Sequence, residues 1–243
     1  MAEQKAHIRR FRRATLGPEL HLEQQVLEGV VDLLGCEPSR SWVGRSLPLG
    51  AGMPDLAVVV FDPCLAAAKD GSHRDAAVLA YLRRVSCATV ATTAQRTGLK
   101  EQVVYESISR LAGVGAVCRS GEGYRLNQRW RSILSKVVAI EAKVSNWSGA
   151  VSQAIRNTVF AHQSFIAIPE HVAFRAPLDT ACARFGIGVL AVGDEVRIVR
   201  RARTQRPKVW SYYYRLAAVV AEDVAQWRGG RDAIRRTNRA GTH

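Results

Sequence analysis

Pro54-Asp55-Leu56-Ala57-Val58-Val59-Val60-Phe61 and Val137-Val138-Ala139-Ile140-Glu141-Ala142-Lys143 are the two stretches whose reading decides the fold. Each is an apolar, β-branched run of the kind that forms a strand buried on both faces, and each carries ionisable groups at one end. Asp55 opens the first run; Glu141 and Lys143 close the second. Because side chains alternate across a strand, Glu141 and Lys143 are expected on one face and Ala142 on the other. Gly50-Ala51-Gly52 ahead of the first run reads as a turn that permits close backbone approach, and Ser41 to Ser46 as a further strand. Residues 18 to 34 read as a helix with Pro18 in its first turn and its end before Gly35. At about 100° per residue, Leu20, Val26, Leu27, Val30, Val31 and Leu34 form one apolar stripe, with Glu23 near its centre and Glu28 and Asp32 opposite. Glu23 is therefore an inward-facing acid. A buried carboxylate needs a cationic partner, which is either an arginine or a metal ion.

Acid, acid and lysine in this order resemble the PD-(D/E)xK superfamily of restriction-endonuclease-like nucleases, with Pro54 and Asp55 as its first motif and Glu141, Ala142 and Lys143 as its second. The likeness spans roughly residues 18 to 62 and 136 to 200. It implies an α/β fold with a mixed sheet flanked by helices, and a Mg²⁺-dependent nuclease in which Mn²⁺ substitutes. It further implies Asp55 and Glu141 as metal ligands, with the carbonyl of Ala142 and an acid on the first helix, here Glu23, completing the shell. Lys143 would orient the attacking water and stabilise the transition state. After Lys143 a helix is expected over residues 147 to 162, with Trp147, Ala150, Val151, Ala154, Ile155 and Val159 towards the core. Gln153, Arg156 and Asn157 lie off that stripe. Gln153 is a candidate contact to the scissile strand or a catalytic water, and Arg156 a candidate phosphate contact.

From Asp55 to Glu141 is 86 positions, far beyond hairpin loops of about 2 to 5 residues. Something folded must occupy the gap. Residues 74 to 127 resemble a winged helix-turn-helix: Ala76, Val78, Leu79 and Leu82 mark a first helix, Val90, Ala91 and Ala94 a second ending at Gly98, and Val104, Ile108 and Leu111 a third. Two short strands flank Ser120-Gly121-Glu122-Gly123 as a wing. In such modules the third helix reads DNA, which here nominates Lys100, Gln102, Tyr105 and Arg110, with Arg119 on the wing. Glu101 and Glu106 on the same surface repel phosphate and leave a protein-contact role open.

Further along, residues 164–168, 187–192 and 196–201 read as strands, 171–185 as mostly helical, and 211–227 as a final helix. The expected organisation is a basic arm over 1–17, a discontinuous nuclease domain over 18–73 and 128–227, the insert over 74–127, and a basic flexible tail over 228–243. Tyr212, Tyr213 and Tyr214 read as core residues in preference to base-stacking ones.

Thirty-five Lys and Arg against 21 Asp and Glu give a net charge of +14 and a pI near 10.3, the electrostatic footprint of a polyanion binder. Duplex DNA is the expected partner. The apolar runs are too short to span a bilayer and no signal-like hydrophobic core follows the basic N-terminus, so a cytoplasmic protein without a membrane partner is expected. Five scattered cysteines form neither a disulfide framework nor a zinc site. No phosphate loop, H-E-x-x-H or G-x-S-x-G motif is present, and the six histidines have no ligand spacing. A homodimer and a separate ATPase or targeting subunit remain open as partners. The rival function is a non-catalytic DNA-binding regulator that uses the insert on a nuclease-like scaffold.

Overall fold

The computed structural model describes residues 6–12, 16–49 and 52–240, with side chains as far as 227 apart from those of 176 and 177. Gly50 and Ala51 of the expected glycine turn lie outside the described residues. In chain order the elements are β1 (His7–Arg10), α1 (Pro18–Leu33), β2 (Ser41–Arg45), β3 (Leu56–Phe61), α2 (His73–Leu82), α3 (Val90–Thr97), α4 (Glu101–Gly113), β4 (Val117–Ser120) and β5 (Gly123–Leu126). They continue with β6 (Leu134–Ala142), α5 (Trp147–Asn157), β7 (Gln163–Pro169), α6 (Glu170–Ala173), α7 (Ala176–Phe185), β8 (Gly188–Val192), β9 (Val196–Arg200) and α8 (Trp210–Ala240).

The chain divides into two compact units, Met1–Phe61 with Leu134–Tyr212 and Asp62–Ile133 with Tyr213–His243. The first is an α/β unit built on a seven-stranded mixed sheet in the order β1-β2-β3-β6-β7-β8-β9. β3 runs antiparallel to β2 and β6, whereas β6, β7 and β8 are parallel and joined through helices, as parallel strands require. The two-residue pleat sorts the core. Val138, Ile140, Phe165 and Ala167 pack with Leu22, Val26 and Val30 of α1, while the intervening Ile166 and Ile168 pack with Ala150, Val151 and Ala154 of α5 and Leu178 and Cys182 of α7. Helices thus cover both faces, which is why these strands are apolar throughout.

Three features of this unit differ from the sequence expectation. His7–Arg10, read as part of a basic arm, forms β1 and pairs in parallel with β2, Arg10 beside Arg45; an edge strand leaves its charged side chains partly in solvent, so arginine content does not forbid it. α5 ends at Asn157, not His162. β-branched Thr158 and Val159 disfavour a further turn, and the His162 amide is drawn to the Val137 carbonyl at 2.8 Å to start β7. β6 stops at Ala142, one residue short of the expected Lys143, whose amide still donates to the Ala167 carbonyl at 3.0 Å.

The second unit packs α2, α3 and α4 against the β4–β5 hairpin, with Val78, Leu82, Val104 and Ile108 fully buried. Gly98 ends α3 in the left-handed conformation, φ 71°, which a residue without Cβ adopts at little cost. The unit is wider than the 74–127 expected. Its ends are tied by the Asp62 amide on the Ile133 carbonyl at 2.9 Å and by a two-pronged Arg129–Asp62 ion pair, which holds the Asp62 carboxyl down at about 2. Most of α8 belongs here instead of with the sheet. Tyr213 and Tyr214 are each 1% exposed, and the Tyr214 hydroxyl donates to the Trp130 carbonyl at 3.0 Å, so both are core residues. α8 also runs to Ala240, well past Trp227 and into the expected flexible tail. Gly229 and Gly230 each disfavour helix by about 1 kcal/mol relative to alanine, and no proline follows to stop it.

Arg110, nominated as a base reader, is committed inside the unit. Its guanidinium grips Asp75 at 2.7 and 3.3 Å, and Asp75 is 2% exposed while completing a capping box with Ser72 at the start of α2. Removing the guanidinium takes the cationic partner from a buried carboxylate and leaves it to the Ser72 donors. Arg110→Gln is therefore expected to lower stability by about 1–2 kcal/mol and to leave any DNA sequence preference unchanged; thermal melts and a binding-site selection check this, and a parent-like melt with altered preference would contradict it.

Candidate active site

Asp55 immediately precedes β3, and Glu141 and Ala142 end the neighbouring β6, so antiparallel pairing of Leu56 with Ile140 sets the two acidic positions side by side. The Ala142 amide donates to Asp55 Oδ2 at 2.8 Å. Lys143 Nζ lies 4.0 Å from that same oxygen and 3.1 Å from Glu19 Oε2 at the first turn of α1. The Ser46 amide donates to the Asp55 carbonyl at 2.9 Å, and Ser46 itself holds a left-handed φ of 53°, a conformation that is sparsely populated for residues with a Cβ.

Glu141 is the buried member, 1% exposed. It faces α5, where Asn157 Nδ2 donates to its Oε1 at 2.6 Å. Gly52 makes room for this arrangement: a Cβ there would stand 3.1 Å from Asn157 Oδ1. The other carboxylate oxygen, Oε2, is buried and receives no donor. Burial, and then the Asp55 charge, push Glu141 up to about 8. Burial also raises Asp55 despite the Ala142 amide and Lys143. For Lys143, burial works against the charge, but Asp55 and Glu19 hold the ammonium above its usual range.

The predicted residues fall into four groups. Asp55, Glu141, Ala142 and Lys143 are brought together, although it is the amide of Ala142, not its carbonyl, that is seen engaged. Glu23 is buried but is not free for a metal: Arg45 Nε donates to its Oε1 at 2.5 Å and Arg10 Nη2 at 3.1 Å, so its cationic partner is arginine. Gln153 is half-buried on α5 one turn before Asn157, and Asn157 makes the contact to Glu141. Arg156 is exposed, and its charge reaches Glu141. On the second unit, Lys100, Gln102, Tyr105 and Arg119 are exposed; Gln102 is bonded to Glu106 at 2.9 Å, and Arg110 is spent on Asp75.

Glu19 is missing from the sequence reading and Asn157 has no role in it beyond lying off the core stripe, although Asn157 is 1% exposed; both were findable. Each lies four residues from a nominated residue on the same helix face, Glu19 one turn before Glu23 and Asn157 one turn after Gln153. No family model, curated protein or solved structure matches the chain. Function is therefore inferred from geometry alone.

Two carboxylates with one undonated buried oxygen suit a hard divalent cation, which uses one or two carboxylates and completes its shell with water and phosphate. Among the described residues no group of three or more His, Cys, Asp or Glu converges, so the fuller ligand set that included Glu23 is not assembled.

The raised Glu141 carboxyl has a consequence for stability. The folded protein holds this proton more tightly than the unfolded chain, whose glutamate titrates near 4.5. The stabilisation is thus complete below that pH and is lost as pH rises through about 8. Thermal melts of chelator-treated protein from pH 5 to 9 are expected to show a falling midpoint, with Glu141→Gln flattening the fall. Parallel profiles for parent and variant would contradict the assignment.

Proposed function

We propose that the chain is a metal-dependent nuclease of the PD-(D/E)xK kind that hydrolyses phosphodiester bonds in DNA. The observation that carries this reading is the buried, undonated Oε2 of Glu141 beside Asp55, with the Lys143 ammonium 4.0 Å from Asp55. A purely structural sheet has no use for such a group, since a buried acid without a donor lowers stability. The order of strands and flanking helices supports a restriction-endonuclease-like fold, and three helices followed by a hairpin support a winged helix-turn-helix in the second unit.

Asp55 and Glu141 would hold Mg²⁺, or Mn²⁺ in its place, and the cation would supply charge neutralisation at the phosphoryl group and a more acidic water. Asn157 clamps one Glu141 oxygen and leaves the other without a donor. In hydrolysis a water oxygen forms the new bond to phosphorus, the bond to the leaving sugar oxygen breaks, and that oxygen takes up a proton. Lys143 is placed to orient the water and to set its positive charge against the phosphoryl oxygens. The second unit offers Lys100 and Arg119 to phosphates, while Gln102 and Arg110 are already engaged, so its part is substrate holding in preference to base reading. The rival regulator reading leaves the buried Glu141 and the half-buried Asp55 beside it without a role.

Incubation with plasmid, linear duplex and single-stranded DNA, each with Mg²⁺, Mn²⁺ or EDTA, tests the proposal. Cleavage is expected only with a divalent cation. Asp55→Asn, Glu141→Gln and Lys143→Ala are each expected to slow it by about 100-fold or more while duplex binding persists. Parent-like cleavage by the triple variant would overturn the reading.

Glu19 and Glu23 separate in a second test. Losing the Glu19 charge removes one influence that holds Lys143 protonated, so Glu19→Gln should move the alkaline limb of the pH–rate profile to lower pH. Glu23→Gln removes the partner of Arg45 and Arg10, so its effect should appear mainly in the thermal midpoint. Indistinguishable behaviour of the two variants would sink the distinction.

A further inference from the structure

Between β9 and α8 the chain crosses the start of β7 and β8 as an extended segment without helix or strand, yet it is firmly attached. The Arg203 amide donates to the Gly186 carbonyl, the Gln205 amide to the His162 carbonyl and the Val209 amide to the Val159 carbonyl, each at 2.9 Å. Gln163 Nε2 reaches the Ala202 carbonyl at 3.4 Å and Thr204 Oγ1 at 3.0 Å. Ala202 and Pro207 turn inward and are buried, whereas Arg201, Arg203, Arg206 and Lys208 all face solvent.

These four cations contrast with their neighbours on β9. Arg197 pairs with Glu170 and Arg200 with Asp179. Arg201, Arg203, Arg206 and Lys208 form no ion pair with any described residue. Four like charges within eight residues repel one another. Holding them on a backbone tied at several points removes the freedom by which a loose segment would spread them. A rigid, unneutralised row of cations is suited to a row of anions at fixed spacing.

We infer that residues 201–208 form a phosphate track that grips the backbone of a nucleic acid, apart from the candidate active site. This rests on the nuclease reading for its purpose but not for its evidence. Gln163 pairs with Val138 and Ile166 with Glu141, so the track meets β7 three residues, or about 10 Å, from the level of Glu141. At 3.4 Å per base pair that is about three base pairs of duplex, near enough for one bound molecule to engage both. The contacts are to phosphate, so they set affinity and register and carry no sequence preference.

The test is fluorescence anisotropy of a labelled duplex across a salt series, with full-length protein carrying Asp55→Asn so that cleavage does not intrude. Each phosphate contact contributes about 0.9 to the slope of log K against log salt. Changing Arg201, Arg203, Arg206 and Lys208 together to Gln is expected to lower that slope by up to about 3.6. Exchanging the four between Arg and Lys should preserve it, and Arg197→Gln with Arg200→Gln should leave it nearly unchanged. An unaltered slope in the fourfold Gln variant, or an equal loss in the Arg197 and Arg200 control, would overturn the track. So would anionic phosphatidylserine vesicles displacing the duplex from the parent but not from the Gln variant, which would assign the surface to a membrane. Loss of slope in the fourfold Gln variant of a protein whose parent shows no Mg²⁺-dependent cleavage would leave the track standing and remove the nuclease, so the two failures are distinguishable.

Discussion

Glu141 is 1% exposed, at the end of a strand whose other residues are almost all apolar, and a carboxylate withdrawn that far from water must be neutralised or answered by charge. Its surroundings are arranged around that requirement. Pairing of β3 with β6 brings Asp55 alongside, and the end of α5 supplies the Asn157 amide to one oxygen. The Ala142 amide fixes Asp55 in turn. What remains is one buried oxygen with no donor, between groups that hold it rigidly. Burial, and then the Asp55 charge, push its carboxyl up to about 8.

Around this centre the helices are divided by task. α1 carries Glu19 to Lys143 and, one turn later, Glu23 to Arg45 and Arg10. The first pair touches the candidate chemistry and the second secures the helix against β1 and β2. The same helix face thus has a functional turn and a structural turn, distinguished by which strand end each one overlies. α5 repeats the pattern, with Ala150, Val151 and Ala154 in the core and Asn157 at the carboxylate.

Much of this was legible from the residue pattern. The apolar runs at 56–61 and 137–142 gave correct strands because a strand buried on both faces leaves a strong, local signal. The helix–helix–helix–hairpin order of the insert was readable from Gly98, Gly115 and the Gly121 turn, each at positive φ. Partner choice was not legible. Helical phase placed Glu23 inward, but whether arginine or metal answers it depends on Arg45 at the end of β2 and on Arg10, which enters through a strand that composition disguised as a basic arm. Arg110 is exposed, as its helical phase implies, but it is paired with Asp75, which lies 35 residues away in sequence. Long-range pairing of this kind leaves no periodic trace. The end of α8 was misjudged for a different reason, since glycine weakens a helix without forbidding it.

Isothermal titration of Mg²⁺ into chelator-stripped, full-length protein at pH 7, in two buffers of different ionisation enthalpy, tests the central claim most directly. If the divalent cation takes the place of the proton held at Glu141, binding must release about one proton, so the apparent heats must differ between buffers, and Glu141→Gln must abolish that difference. Mg²⁺ binding with identical heats in both buffers, or no binding at all, would contradict the account.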